Sequence, residues 1–373
     1  MSNIDEVLTR GVEQILPSRE GLKKLMAKKK IRLYLGIDPT ATGLHLGHTV
    51  MLRKLQQFAD LGHEAILLFG TGTVLVGDPS QRAAGRKLIT QKEIDQNIAT
   101  WKDQVKSVID FKKVQIKYNG DWLLKLGLKD IIKLASHVSA VQLFKRDMFQ
   151  RRLKLGDTVW YHETMYPLLQ GYDSVVMDVD LELGGTDQTF NMLIGRELQA
   201  KINHREKFVL AGKMISGTDN QPMSKTSNNC IWLTDTANDM FGKLMAVRDE
   251  LMPDYWEFFT DKTMPKEEPL AVKKQLALEI TSQFHGAAKA QASQKHFETT
   301  FQQKAPEFKQ TVKAKANLIL TVASLVGSNS EAKRLIQQGA VDVNGAKASD
   351  GTAAVRVGDK IKVGQRTFLK VIK

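Results

Sequence analysis

The chain has 373 residues, of which 42% are hydrophobic and 25% are charged; this composition predicts two or three globular domains and excludes a collagen-like repeat, a disordered tail and a low-complexity array. Its 54 Lys and Arg residues outnumber its 41 Asp and Glu residues, and the net charge of +13 indicates a polyanionic partner such as nucleic acid. The single cysteine, Cys230, excludes an internal disulfide, and without a signal peptide or an apolar run of membrane-helix length the sequence predicts a soluble, cytoplasmic protein with no membrane contact.

The first part of the chain has the pattern of a nucleotide-binding α/β fold. Residues 31–37 form a β-prone run, residues 38–43 form a breaker-rich loop, and apolar residues at helical spacing then predict a helix that ends near Gly62. Further strands are expected at 65–69, 111–117 and 174–179. This alternation predicts a parallel sheet.

The sharpest local signal, His45-Leu46-Gly47-His48, lies where the first loop enters its helix. The two imidazoles lie on one side of the chain, and Gly47 lets a ligand approach the backbone at a helix N-terminus, which already favours phosphate. For a lone histidine, a capping or surface position is the better interpretation. A His-x-Gly-His match, however, arises by chance in about one chain in a hundred. We therefore expect hydrogen bonds from this pair to a nucleotide and to charge developing at its α-phosphate.

The last part of the chain predicts a separate basic module, because residues 311–373 carry 11 Lys and Arg residues against 4 Asp and Glu residues. Before it, residues 267–315 have the composition of exposed helices. Within it, a helix is expected at 330–338, capped by Ser330 and ended by Gly339. Strands are then expected at 340–343, before the turn Asn344-Gly345, and around Val355, Val357, Ile361 and Val363.

The segment Tyr34-Leu35-Gly36-Ile37-Asp38-Pro39-Thr40, with the histidine tetrad, resembles the nucleotide-binding loop of class I aminoacyl-tRNA synthetases. That family carries a second motif, usually Lys-Met-Ser-Lys-Ser, on a mobile loop after its α/β domain. Pro222-Met223-Ser224-Lys225-Thr226 resembles it with one departure. Pro222 replaces the first lysine and has neither charge nor a backbone donor, whereas Lys225 is retained.

Three further segments narrow the resemblance to tyrosyl-tRNA synthetases. Residues 166–173 match the helix whose face meets the amino acid, although for any one residue packing in an amphipathic helix is an equally good interpretation. Residues 184–188 match a Gly-Gly turn followed by a carboxylate that accepts from ribose hydroxyls. Residues 77–80, with Arg82 and Arg86, match the loop between the substrate amine and pyrophosphate.

The resemblance implies an α/β fold in three domains. These are a Rossmann-like parallel-sheet catalytic domain at 1–215, a mobile signature loop with a helical anticodon-binding domain at 216–310, and a small α+β, S4-like RNA-binding domain at 311–373. It implies a tyrosine–tRNA ligase that forms tyrosyl-adenylate from tyrosine and ATP, releases pyrophosphate, and transfers tyrosine to tRNA(Tyr). The implied partners are tRNA(Tyr), L-tyrosine, ATP as its Mg²⁺ complex and a second copy of the chain in a homodimer, with no tightly bound cofactor and no protein-held metal.

The resemblance also implies roles for individual residues. The tyrosine subsite comprises Tyr34, Asp78, Tyr166, Gln170, Asp173 and Gln188, of which Tyr34 and Asp173 meet the phenol. The ATP subsite comprises Gly36, Asp38, Gly47, Asp187 and Lys225. The groups that act at the phosphates are His45, His48, Thr40, Lys225, Arg82 and Arg86.

Two other classes remain open at this point. Tryptophan enzymes and other His-x-Gly-His adenylyl transferases share motifs with this chain, but tryptophan enzymes generally lack the C-terminal module and the Gln-x-x-Asp pattern of Gln170 and Asp173. A non-catalytic RNA-binding relative would account for Pro222 but not for the retention of the other motif residues.

Overall fold

The chain is described by a computed structural model that covers residues 3–78, 89–221, 223, 229–302, 308, 310–364 and 367–373. It divides into two compact units, residues 1–290 and 291–373, and the division falls within a helix, α15 (Ala287–Phe297). The first unit combines the predicted catalytic domain with most of the predicted helical domain. The three-domain division stays a prediction.

A six-stranded sheet forms the centre of the first unit. Its strands are β1 (Val12–Leu16), β2 (Arg32–Ile37), β3 (Glu64–Phe69), β4 (Val114–Tyr118), β5 (Leu181–Gly185) and β6 (Phe208–Gly212), in the order β1-β6-β5-β2-β3-β4. Only the β1–β6 pairing is antiparallel. The parallel sheet and the strands expected at 31–37 and 65–69 are thus confirmed, whereas β4 begins three residues later than expected because residues 111–113 form a turn.

Fourteen helices of the first unit lie in the described ranges. They are α1 (Ile4–Val7), α2 (Arg19–Lys28), α3 (Leu46–Asp60), α4 (Thr73–Val76), α5 (Gln91–Val105), α6 (Gly120–Leu123), α7 (Leu128–Ala135), α8 (Ala140–Phe144), α9 (Asp147–Lys154), α10 (Tyr166–Met177), α11 (Thr189–Ile202), α12 (Ala237–Met245), α13 (Met252–Phe259) and α14 (Pro269–His285). The helix predicted after the first loop is α3, and Gly62 follows its end with φ +86°. Of the helices that the structure describes, none has both the length and the apolarity to cross a membrane.

The strand predicted at 174–179 is wrong. These residues belong to the end of α10 and to its cap, where Asp178 adopts the left-handed conformation with φ 49°. The valines that suggested a strand lie on a helix instead, and Val175 packs into a core cluster with Ile194 and Leu198 of α11. The strand itself, β5, comes later and ends with Gly184 and Gly185, so the expected Gly-Gly turn is extended strand followed by a 3₁₀ turn at Thr186–Gln188.

The second unit is a small α+β arrangement. Its strands are β7 (Gln310–Lys313), β8 (Val341–Val343), β9 (Ala346–Lys347), β10 (Lys360–Val363) and β11 (Thr367–Ile372), in the order β7-β11-β10-β8-β9, and its helices include α16 (Leu318–Val326) and α17 (Asn329–Gln337). Val322, Ile336, Val341, Ile361 and Leu369 form the centre of its core. Both helices therefore pack their apolar faces against one sheet.

Two details of this unit differ from expectation. The cap of α17 is Ser328, whose Oγ accepts from the Glu331 amide at 3.4 Å, whereas Ser330 lies inside the first turn. Val355 and Val357 lie before β10 rather than in a strand, because Asp359 accepts from the Arg356 amide at 2.7 Å and closes a turn there. The Asn344-Gly345 turn is confirmed, with φ of 51° and 86°.

Two glycines allow α10 and α11 to pack closely. A Cβ added at Gly171 would lie 2.8 Å from Leu198 Cδ1 and 3.1 Å from the Cα of Gly195, closer than real Cβ atoms normally approach. The two helix backbones therefore meet at this point. Because α10 also carries Gln170 and Asp173, the same contact sets the distance of those side chains from the sheet.

Gly171→Ala is expected to lower the free energy of unfolding by about 1–3 kcal/mol, because the added methyl group forces the two helices apart. Urea denaturation followed by circular dichroism measures this. Gly127→Ala is the matched control, since its φ is −84° and the nearest atom to an added Cβ is 3.6 Å away; a change below about 0.5 kcal/mol is expected. Equal losses in the two variants would contradict the close contact.

Candidate active site

The site forms where the parallel strands end. The carboxyl ends of β2, β3 and β4 lie side by side, so the residues that follow them, such as Asp38, Thr73 and Asn119, come together. Helix α10 brings Tyr166, Gln170 and Asp173 to the same place: Tyr166 reaches Asp38, and Asp173 reaches Asn119. Side chains distant in the chain thus surround one buried region.

Asp173 is a buried carboxylate with two fixed donors. Its side chain accepts from Asn119 Nδ2 at 3.0 Å and from Trp122 Nε1 at 2.8 Å, and the residue is 2% exposed. Burial raises the pKa of Asp173 well above its usual range, and the two hydrogen bonds oppose that rise. Tyr34 lies on β2 and is 1% exposed, and burial together with the charges of Glu182 and Asp173 raises the pKa of its phenol. The structure therefore keeps the Tyr34 phenol neutral next to a carboxyl group.

Sequence reasoning missed Asn119 and Trp122. Asn119 directly follows β4, accepts from the Gly72 amide at 2.7 Å and donates to Thr73 Oγ1 at 3.0 Å as well as to Asp173. A polar residue immediately after a parallel strand is the signal that could have identified it. Nothing in the sequence near Trp122 distinguishes it from a core tryptophan.

Asp38 joins the two predicted subsites. Its carboxylate accepts from Tyr166 Oη at 3.0 Å and from Thr73 Oγ1 at 2.7 Å. Burial, followed by the charges of Asp38 and Asp78, raises the pKa of Tyr166 well above its usual range. Asp38, which the resemblance gives to ATP, thus contacts the Tyr166 hydroxyl that the resemblance gives to tyrosine. Thr40 lies two residues on and donates its amide to the Asp38 carbonyl at 2.8 Å.

Asp78 lies between an amide and a guanidinium. It accepts from Gln188 Nε2 at 2.7 Å, and Arg146 Nη2 is 3.5 Å from its other oxygen. Gln188 Nε2 also donates to Asp187, whose pKa is raised by burial. Arg146 is 5% exposed and lies over the rings of Phe149 and Phe190. The sequence did not single out Arg146, because a lone basic residue in a helical region carries no local signal.

The histidine pair opens α3 as expected. His45 is the N-cap residue, and its amide donates to His48 Nδ1 at 3.2 Å, with the two ring centroids 3.9 Å apart. His48 Nδ1 also lies 3.3 Å from the His45 carbonyl oxygen, so the tautomer of the ring decides whether this nitrogen donates to that oxygen or accepts from the His45 amide. A Cβ added at Gly47 would lie 3.1 Å from His45 Nδ1, so the glycine allows the His45 ring to lie close to the helix backbone. Gly36, the other glycine assigned to the ATP subsite, lies on β2 two residues after Tyr34. The first turn of α3 therefore brings two imidazole rings together at a helix N-terminus.

Of the second motif, residues 222–226, the structure describes only Met223. Arg82, Arg86, Pro222 and Lys225 lie outside the described residues, and their predicted roles stay predictions. Before the motif, Asp219 accepts from Asn229 Nδ2 at 2.8 Å, which ties together the two described sides of the segment. After it, the Ile231 carbonyl accepts from the Leu46 amide at 2.8 Å, next to the histidine pair. Within the described ranges, no group of three or more His, Cys, Asp or Glu residues could hold a metal ion.

A parallel α/β sheet whose first helix opens on paired histidines is the arrangement of a class I aminoacyl-tRNA synthetase. The family model for class I tRNA synthetases of the W and Y type matches residues 26–321, and the chain belongs to this family. Within it, tyrosine–tRNA ligase 2 of Vibrio cholerae is 40% identical over 100% of this chain and 99% of the relative. The tyrosine–tRNA ligase of Shewanella oneidensis is 41% identical with the same coverage. These full-length matches place the chain among the bacterial tyrosine–tRNA ligases and confirm the resemblance to tyrosyl-tRNA synthetases.

Solved structures agree on the fold. A C-terminally truncated mitochondrial tyrosyl-tRNA synthetase from Aspergillus nidulans superposes with a TM-score of 0.68 at 20% identity and covers 80% of this chain and 94% of that one. The tyrosyl-tRNA synthetase of Archaeoglobus fulgidus, solved with L-tyrosine, has a TM-score of 0.62 at 20% identity and covers 78% of this chain and 100% of that one. The α/β architecture is therefore shared far beyond the level of sequence similarity.

Trp122→Phe is expected to weaken tyrosine binding about ten-fold, because it removes a donor to the buried Asp173 carboxylate while it keeps an aromatic ring in place. Equilibrium dialysis with labelled L-tyrosine measures the affinity. Trp256→Phe is the control, because that indole nitrogen is buried and donates to none of the described residues. Unchanged affinity in Trp122→Phe would show that the indole hydrogen bond does not tune Asp173.

Proposed function

We propose that this chain activates tyrosine with Mg-ATP and transfers the tyrosyl group to tRNA(Tyr), and that the region around Tyr34 and Asp173 is its tyrosine pocket. The observation that carries the proposal is the buried Asp173 carboxyl group, fixed by Asn119 and Trp122 on the same side of the sheet as Tyr34. A substrate hydroxyl satisfies these groups. Phenylalanine lacks the hydroxyl and cannot make this additional hydrogen bond to the buried groups, so it is expected to bind more weakly.

In the first step the tyrosine carboxylate attacks the α-phosphorus of ATP, a C–O–P linkage forms, and pyrophosphate leaves. The substrate supplies the nucleophile, so the protein's contribution is to position the reactants and to stabilise charge on phosphorus. The His45 and His48 imidazoles, at the N-terminus of α3, supply donors for that charge. Mg²⁺ arrives with ATP as part of the substrate complex and neutralises phosphate charge.

The remaining residues divide between the ends of the substrates. Asp78, Tyr166 and Gln170 hold the tyrosine ammonium group, and Gln188 lies at its carboxylate. Gly36, Gly47, Asp38 and Asp187 line the nucleotide site, with Thr40 and His45 at the phosphates. Lys225, Arg82 and Arg86 close over pyrophosphate from their loops. Asp38 serves both ends, since its carboxylate contacts the Tyr166 hydroxyl.

In the second step the tyrosyl group passes to the terminal ribose of the tRNA. The basic excess of residues 311–373 and the packing of α16 and α17 on a mixed sheet support an S4-like module that binds tRNA phosphates. The proposal retains a catalytic domain at 1–215, a helical anticodon domain at 216–310 and this module. It places the protein in the cytoplasm, where bacterial tRNA is charged.

The working form is a homodimer. Several large apolar side chains between α6 and α10 are exposed to solvent: Leu124, Leu128, Ile132, Val141, Leu153, Leu155, Trp160 and Tyr161. On α7, Leu128 and Ile132 are one turn apart on one face and are 74% and 59% exposed, whereas Leu134 is buried in the core. Exposed apolar side chains concentrated in one region mark an interaction surface, and a second copy of the chain is the proposed occupant.

The purified chain is expected to exchange labelled pyrophosphate into ATP with tyrosine and not with phenylalanine or tryptophan. Lys225→Ala is expected to lower the turnover of this exchange more than the tyrosine affinity, because its charge acts on pyrophosphate as it leaves. The exposed Lys112 supplies a control, Lys112→Ala, with unchanged turnover. Exchange driven by tryptophan would change the substrate assignment, and no exchange with any amino acid would reject the catalytic function.

Ile132→Glu is expected to convert the homodimer to a monomer, because it places a charge in the apolar contact. Sedimentation equilibrium measures the mass. Leu270→Glu, at a site that is 52% exposed on α14, is the control and should leave the dimer intact. A wild-type chain that sediments as a monomer would reject this surface as a dimer interface.

A further inference from the structure

A buried ion pair lies under the proposed tyrosine pocket and has no part in the scheme above. Lys207, directly before β6, is 0% exposed, and Glu182 on β5 is 1% exposed. Lys207 Nζ donates to Glu182 Oε2 and, at 2.8 Å, to Ser174 Oγ on α10. Neither charged residue belongs to a motif that the sequence singled out.

The helices make room for this ammonium group. A Cβ added at Gly195 would lie 2.6 Å from Lys207 Nζ and 3.1 Å from Ser174 Oγ, so a larger residue here would displace the ammonium group from its present position. Burial lowers the pKa of Lys207, whereas the charge of Glu182 and its hydrogen bond raise it. Replacing a buried ion pair by apolar residues is often neutral or stabilising, so stability alone does not account for these two charges.

The directions of the hydrogen bonds follow from the chemistry of each group. An ionised carboxylate only accepts, so Ser174 donates its single proton to Glu182 Oε2 at 3.3 Å. Ser174 Oγ also accepts from Lys207 and lies 3.0 Å from the Tyr34 hydroxyl, which in turn lies 3.5 Å from the Gln170 carbonyl oxygen. The ion pair therefore reaches the phenol-binding residue through one serine.

The same carboxylate also orients Gln170. Glu182 Oε1 accepts from Gln170 Nε2 at 2.9 Å, which fixes the amide with its nitrogen toward Glu182. Gln170 Oε1 is then left buried, and among the described residues it has no hydrogen-bond partner. An unsatisfied buried acceptor is what a substrate ammonium group, with three donors, would complete.

We propose that the Glu182–Lys207 pair is a positioning device for substrate recognition. Lys207 keeps the Glu182 carboxylate in place as an acceptor. Glu182 then orients the Gln170 amide so that its oxygen meets the tyrosine ammonium group. Ser174, which contacts both charged groups, positions the Tyr34 hydroxyl. The inference rests on the proposed function, since it assigns Gln170 to the ammonium group and Tyr34 to the phenol. It adds the reason why Gln170 presents an acceptor rather than a donor.

Glu182→Gln tests the orientation of Gln170. Lys207 and Ser174 are donors, so they select the oxygen of the new amide, and its NH₂ group then faces Gln170. Gln170 must turn, and its own NH₂ group then points at the substrate ammonium. The KM for L-tyrosine in pyrophosphate exchange is expected to rise about ten-fold or more, with kcat within about three-fold.

An analogue separates this effect from general damage to the pocket. 3-(4-Hydroxyphenyl)propionate has the phenol and carboxylate of tyrosine but no ammonium group, so its Ki as a competitor should stay within about three-fold in Glu182→Gln. Asp180→Asn is the matched control. Asp180 is a buried carboxylate paired with Lys29 and Arg205, and it lies directly before β5, at the opposite end of the strand from the site. It should change neither value.

Two further variants complete the test. Lys207→Met removes the ammonium group that holds the Glu182 carboxylate in place and should reproduce the ammonium-selective loss of Glu182→Gln, because the carboxylate is then no longer fixed against Gln170. Ser174→Ala is a small truncation that should fold, and it should weaken tyrosine and the analogue equally, by about three- to ten-fold, since both carry the phenol.

The outcomes are distinguishable. A wild-type chain with no tyrosine-dependent exchange defeats the proposed function itself. An active wild type whose Glu182→Gln variant loses tyrosine and the analogue to the same extent, or loses neither, overturns the positioning proposal. If Glu182→Gln and Lys207→Met do not fold, as thermal denaturation would show, the pair is structural and the proposal fails for Gln170, while Ser174→Ala still decides the Tyr34 contact.

Discussion

Burial of charge beside a parallel sheet is the constraint on which the rest of this structure depends. Asp173, Glu182 and Lys207 are each at most 2% exposed, and an isolated charge in such a place is strongly unfavourable unless it is paired or hydrogen-bonded. Their partners come from the residue after β4, helices α6 and α10, strand β5 and the residue before β6. The strands must therefore end in register and α10 must lie close to them before any of these groups is satisfied.

Close helix packing meets that requirement. Gly171 and Gly195 let α10 approach α11, and the space at Gly195 also receives the ammonium group of Lys207. Helix α10, which carries Gln170 and Asp173, is thus held in place by the same close packing that makes room for the ion pair. A site of this kind is rigid because each buried polar group is hydrogen-bonded to a neighbouring one. The buried Gln170 Oε1, which has no partner among the described residues, is an acceptor that a ligand can use.

Much of the fold and site could be predicted from local pattern. The strands near 31–37 and 65–69, helix α3 and the Asn344-Gly345 turn follow from periodicity and turn chemistry, which act over a few residues. The segment 174–179 could not be predicted this way, since valines suit a strand and a packed helix face alike and contact with α11 decides between them. Sequence patterns did not identify four further residues for a related reason, since each contacts a residue that is distant in the chain: Asn119, Trp122, Arg146 and Lys207.

The sequence by itself determined the loop before α3, the paired histidines, the basic C-terminal region and the resemblance of residues 166–173 to the tyrosine enzymes, because each is a contiguous segment. Only the tertiary structure decided which way those residues face and what holds them. The Asp38 carboxylate accepts from Tyr166, and the Gln170 amide turns its nitrogen toward Glu182, because these partners lie next to them in space and not in sequence. A hydrogen bond depends on where its two partners are, and only folding brings residues from distant strands and helices within 3 Å of each other.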